Sequence, residues 1–145
     1  MTATTTRDKQ AAMPSTNDLA SLLLRLALGL MFLAHGLTKL LVWTLAGTAQ
    51  FFASAGFPGW LAYPITGLEL VGGALLILGV QVRWLALLLG VELAFAVIPH
   101  LGNGWMFQAP HGGWEYPAFL SITAFALALM GEGRYALMRS YQPSR

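Results

Sequence analysis

Cysteine is absent from the 145 residues. That excludes thiol–disulfide exchange, thiolate metal sites and structural disulfides. Charge is also scarce. Only 10% of the residues are Asp, Glu, Lys or Arg, against roughly 25% in a soluble domain. The net charge of +2 is small, and no basic stretch is interleaved with aromatics, so nucleic-acid binding has no support. No metal motif and no flavin motif occurs, so no cofactor is encoded.

What fills the chain instead is apolar, at 57% of residues. Four runs stand out: Leu19–Val42, Leu61–Val80, Val82–Pro99 and Pro117–Gly131. A helix needs roughly 17–25 such residues to cross a bilayer. The first two runs qualify, the third is near the lower bound, and the fourth is short. It is expected to borrow Tyr116 at one end and Tyr135 to Leu137 at the other. The expected fold is an all-α membrane protein, a four-transmembrane-helix up-down-up-down bundle. Residues 1–18 read as a disordered polar tail, 19–137 as the transmembrane domain and 138–145 as a short basic tail. No signal peptide is expected. Asn17 or Asp18 is the expected cap of the first helix.

Orientation follows from the basic residues near the membrane ends. Arg7, Lys9, Arg83, Arg134, Arg139 and Arg145 gather on one side. The loops 43–60 and 100–116 contain no Lys or Arg, but hold Trp43, Trp60, Trp105 and Trp114. Both termini are therefore expected in the cytoplasm. The stretch "FFASAGFPGW" is aromatic and rich in small residues, suited to the bilayer surface or to a lid. Gly29 and Gly36, like Gly72 and Gly79, are spaced to let a neighbouring helix approach.

Ionisable groups cost roughly 2.5–3.5 kcal/mol near a membrane centre on insertion scales. The spans nevertheless hold Arg25, His35, Lys39, Glu69 and Glu92, with His100, His111 and Glu115 at the outer end. Arg25, His35 and Lys39 share a narrow face of the first helix with Phe32. Glu69 and Glu92 lie about nine residues in from opposite ends of their runs, which puts both near mid-membrane. Arg25, Glu69 and Glu92 are expected to converge inside the bundle, with His35 and His100 above them. Each residue has a plainer reading. Lys39 can snorkel to the outer headgroups, Arg25 can make a structural ion pair, and the charges together can be a structural network. The functional reading is a proton-handling or ligand site, since a carboxylate in low dielectric takes up a proton readily. His100, His35, Lys39, His111 and Glu115 are expected to line one outer pocket. In "HGGWEYP", Pro117 suits the first turn of a helix and Glu115 its positive end. Capping leaves His111 without a role.

The stretches "RLALGLMFLAHGLTK" and "ELVGGALLILGVQVR", then His100 and "GGWEYP", occur in this order. Together they resemble the DoxX family of small four-helix bacterial membrane proteins, over about Leu22 to Leu137. The family takes its name from a subunit of an archaeal terminal quinol oxidase, also linked to thiosulfate:quinone oxidoreduction. The resemblance implies a redox-associated membrane protein and assigns no catalytic residue. Related bundles with cysteines perform thiol chemistry, which this chain cannot.

Three functions compete. A quinone-interacting accessory subunit needs an apolar slot and one or two polar groups, for which His35, His100 and Glu69 are of the right type. Its electrons would come from a membrane or peripheral redox partner protein. A haem protein would use His35 and His100 as axial ligands. A proton or solute transporter, or a membrane scaffold, would use the buried charges in a homo-oligomer, because four short helices enclose little volume.

Overall fold

The computed structural model describes residues 13–138. The N-terminal stretch with Arg7 and Lys9, and the C-terminal stretch with Arg139 and Arg145, lie outside the described residues. Within them the secondary structure is all helical. The order is α1 (Thr16–Leu37), a π-helical turn (Thr38–Val42), α2 (Thr44–Ser54), a 3-10 turn (Gly59–Leu61), α3 (Ala62–Leu78), α4 (Val82–Ala96), a second 3-10 turn (Ile98–Asn103) and α5 (Glu115–Met130).

Ser15, not Asn17 or Asp18, caps α1. Its hydroxyl accepts the Asp18 N–H at 3.2 Å, and the Asp18 carboxylate accepts the Ser15 N–H at 2.9 Å. Asp18 is the third helical residue, so this is a reciprocal capping box. The other Asp18 oxygen accepts the Arg134 N–H at 2.8 Å, tying the chain after α5 to the start of α1.

Two antiparallel helix pairs make the bundle. In the first, α1 lies on α3 where Gly29 meets Gly73. A Cβ on Gly73 would stand 2.8 Å from the Gly29 carbonyl oxygen, so only glycine permits this approach. Gly36 continues the seam against Leu70 and Glu69. The expected Gly72 belongs to another contact, facing Leu89 of α4, and Gly79 is a helix terminator. At φ 75° Gly79 is left-handed, and the Val80 N–H returns to the Leu75 carbonyl at 2.9 Å, which ends α3. In the second pair α4 lies on α5, where Ser121 donates to the Gly90 carbonyl at 2.8 Å. Leu28, Phe32, Leu76, Leu89 and Leu127 fill the space between the pairs.

The outward faces are apolar. Leu23, Leu30, Val71, Trp84, Ile122 and Leu129 are each more than 60% exposed. Water would not tolerate so much apolar surface, and lipid does. Three helical stretches are long and apolar enough to cross a membrane: Thr16–Val42, Gly59–Leu78 and Val82–Asn103. The fourth, α5, has 16 residues and so spans about 24 Å. It includes Tyr116 but stops at Met130, because Gly131 turns the chain at φ 83°. Tyr135 to Leu137 do not extend it. That segment folds back, and the Leu137 and Met138 N–H groups donate to the carbonyls of Leu78 and Gly79, both at 3.1 Å.

Candidate functional site

The charged residues divide into three groups. The central group comes from three helical elements. Lys39 leaves the π turn and turns inward, with its Nζ 2.6 Å from Glu69 Oε1 of α3. Its side chain is 13% exposed and that of Glu69 4%, so the lysine does not snorkel. Glu92 of α4 lies close enough to interact with the Glu69 carboxyl and feels the charge of Lys39. Two carboxyl groups can share a hydrogen bond only if one carries a proton. The second oxygens, Glu69 Oε2 and Glu92 Oε2, are buried without a hydrogen-bond partner.

Beside this group lies a cavity of about 330 Å³. Phe51, Phe52 and Phe57, from α2 and the loop after it, form one wall, and Ile65 of α3 with Phe95 of α4 forms another. Glu92 is the ionisable residue in the lining. Of the stretch read as a surface segment or lid, residues 51–54 end α2 and residues 55–58 form a turn, and its phenyl rings line the slot. Thr48, fully buried, ties α2 to the π turn through its hydroxyl, 3.4 Å from the Lys39 carbonyl.

Arg25 does not join Glu69 and Glu92. It is fully buried at the other end of α3, with Nη1 3.4 Å from the Ile77 carbonyl and 3.5 Å from that of Leu76. These carbonyls belong to the last turn of α3 and form the negative end of its dipole. Glu69 is about 11 Å further along the helix axis at 1.5 Å per residue. The Gly29–Gly73 contact sets this register, bringing Arg25 level with the α3 terminus and Lys39 level with Glu69. The carboxylate that acts on Arg25 is Glu132, which is 7% exposed and stands 3.9 Å from Arg83 Nε. Sequence reasoning passed over Glu132. The available signal was a carboxylate between two glycines, directly after the last apolar run. Ser21 reinforces this end by donating to the Gly131 carbonyl.

The outer residues do not converge on one pocket. The His35 ring nitrogen contacts the Met31 carbonyl at 2.8 Å, and the ring stacks on Tyr116 at 6.4 Å. His100 Nδ1 is 3.0 Å from the Gly112 carbonyl, and Asn103 donates to the carbonyls of His111 and Gly112. Glu115 accepts the Phe107 N–H at 2.8 Å. His100 and Glu115 therefore brace the loop between α4 and α5. His111 is exposed and bends the chain at φ 69°. His35 and His100 are thus each held through Nδ1 by a carbonyl of their own region. In "HGGWEYP", Gly113 permits closure, since a Cβ there would stand 2.1 Å from the Met106 carbonyl oxygen.

A helical chain with lipid-suited faces and buried charges is a multi-pass membrane protein. Residues 20–101 match the DoxX family model. The chain belongs to the DoxX family. It is 35% identical over 126 residues to a Bacillus subtilis protein named "Putative oxidoreductase CatD", covering 83% of this chain and 85% of that one. It is 33% identical over 116 residues to an uncharacterised Haemophilus influenzae protein, covering 79% and 84% respectively. No solved structure matches the chain significantly.

Proposed function

We propose that this protein is a redox-associated accessory protein of the bacterial inner membrane that holds a quinone in the slot beside Glu92. It spans the bilayer four times, up-down-up-down, with both termini in the cytoplasm. The antiparallel pairs and the grouping of Arg25, Arg83 and Arg134 near one end support this topology. The oxidoreductase name of the Bacillus relative supports the redox association.

One observation carries the quinone reading: an aromatic slot of about 330 Å³ has a carboxyl group in its wall. A quinone supplies reversible redox chemistry, and its headgroup has an apolar ring edged by oxygen acceptors. The phenyl groups of Phe51, Phe52 and Phe95 hold such a ring, and Glu92 in its protonated form can donate to an oxygen. Lys39 neutralises the ionised partner. The chain's role is to bind and to hold a proton, and electrons pass to or from a partner protein.

Native mass spectrometry of the protein released from gently solubilised membranes tests this. The expected result is an adduct of quinone mass that disappears in Glu92→Gln. A protein partner without any quinone adduct would leave an accessory subunit and remove the quinone.

A further inference from the structure

The central group holds one lysine and two carboxyl groups, from the π turn, α3 and α4. Lys39 is committed to Glu69 at 2.6 Å. Full ionisation would leave one uncompensated negative charge, facing an aromatic slot rather than water. With one lysine against two buried carboxyl groups, a proton in this place makes the group neutral. A monovalent cation could fill it equally well, provided that its own surface suits the slot.

We propose that the slot binds a lipophilic organic cation in exchange for the Glu69–Glu92 proton. The chemistry is specific. The cation stands against the Glu92 carboxylate, which it turns into a fixed counter-ion. Its apolar body lies among Phe51, Phe52, Phe57 and Phe95, whose ring faces attract positive charge. The charge balance closes: one cation enters, one proton leaves, and the group stays neutral throughout. A hydrated inorganic cation would lose its water shell to phenyl groups that cannot replace it. This inference rests on the charge count of the site and not on the quinone reading.

The other titratable groups nearby do not alter the count. The charges that act on Glu92 are those of Glu69 and Lys39. α2 carries no ionisable side chain. On α5, Glu115 is engaged with the Phe107 N–H and Tyr116 with the His35 and Phe107 rings. His100, after α4, is held by the Gly112 carbonyl.

The test is calorimetric titration of the full-length protein in detergent with tetraphenylphosphonium, in two buffers of different protonation heat. The expected result is saturable binding that releases about one proton per cation, weakening about tenfold per pH unit on the acid side. Tetraphenylborate, an anion of the same shape, should not bind there. Glu92→Gln should abolish the proton release and weaken binding at least about tenfold, while Phe95→Ala should weaken binding and keep the release. Phe95 is 57% exposed, so that variant spares the fold if Glu92→Gln does not. Binding without proton release, or equal binding of the borate, would overturn the proposal by showing mere partition onto apolar surface.

Discussion

Lys39 and Glu69 form a 2.6 Å ion pair, and neither side chain is more than 13% exposed. Removing the cation strands a buried carboxylate that already has one unpartnered oxygen. Lys39→Met should therefore destabilise the fold by about 3–5 kcal/mol. Lys39→Met combined with Glu69→Leu should recover most of that loss, because no charge is then left alone. Unfolding in sodium dodecyl sulfate, followed by helix circular dichroism, reads both variants. Equal stability of Lys39→Met and wild type would remove the pair from the core.

The seam between α1 and α3 makes a steric prediction. Gly73→Ala puts a methyl group 2.8 Å from the Gly29 carbonyl oxygen and 3.1 Å from the Leu33 backbone nitrogen. The helices must separate, at a cost of about 1–3 kcal/mol. Gly67→Ala on the same helix meets nothing within 4 Å. It should gain a few tenths of a kcal/mol or stay neutral. Thermal melts of the two variants in one detergent give the contrast.

At the other end of the bundle, Asp18 accepts hydrogen bonds from Ser15 and from the Arg134 backbone. Asp18→Ala removes both the capping box and the tie to the segment after α5. A loss of about 0.5–2 kcal/mol is expected from the cap. Hydrogen exchange should rise at Arg134 and at Leu137, whose N–H donates to Leu78. Faster exchange confined to the first turn of α1 would mean that the two ends are not coupled.

Glu132 is predicted to matter more than its place after the last helix suggests. Its charge acts on the fully buried Arg25 and stands 3.9 Å from Arg83. Glu132→Gln should lower stability by about 1–3 kcal/mol, whereas Glu115→Gln, which keeps an acceptor for the Phe107 N–H, should change it by less than about 1 kcal/mol. Detergent unfolding midpoints distinguish the two.

The apolar runs mark the helices because lipid and core both demand such residues. Counting inward from opposite ends places Glu69 and Glu92 at one depth, and in the structure they meet. What periodicity cannot supply is the register between helices. It put Arg25 and Lys39 on one face without saying which of them reaches Glu69. A backbone approach at Gly29 and Gly73 decides that, and two glycines give no hint of which residues they will align. The helix α2 was hidden by its composition, since aromatic and small residues suit a surface loop as well as a helix. The extent of α5 was overread because Tyr135 to Leu137 are apolar, yet Gly131 and Gly133 turn them back onto the α3–α4 junction. At the outer end, His100 and Glu115 have the chemistry of site residues and spend it on loop carbonyls and an N–H.

The π turn at Thr38–Val42 closes with the Trp43 N–H on the Thr38 carbonyl, one residue further back than an α-helix would reach. One additional peptide unit rotates the chain beyond it by about 100° relative to a plain α-helix. The aim of α2, and with it the phenyl cover over Glu92, thus depends on counting peptides between Lys39 and Phe51. Deleting Leu40, Leu41 or Val42 would remove no charge and no aromatic ring, yet it would point the rings elsewhere. In this stretch length is as strict a specification as residue identity.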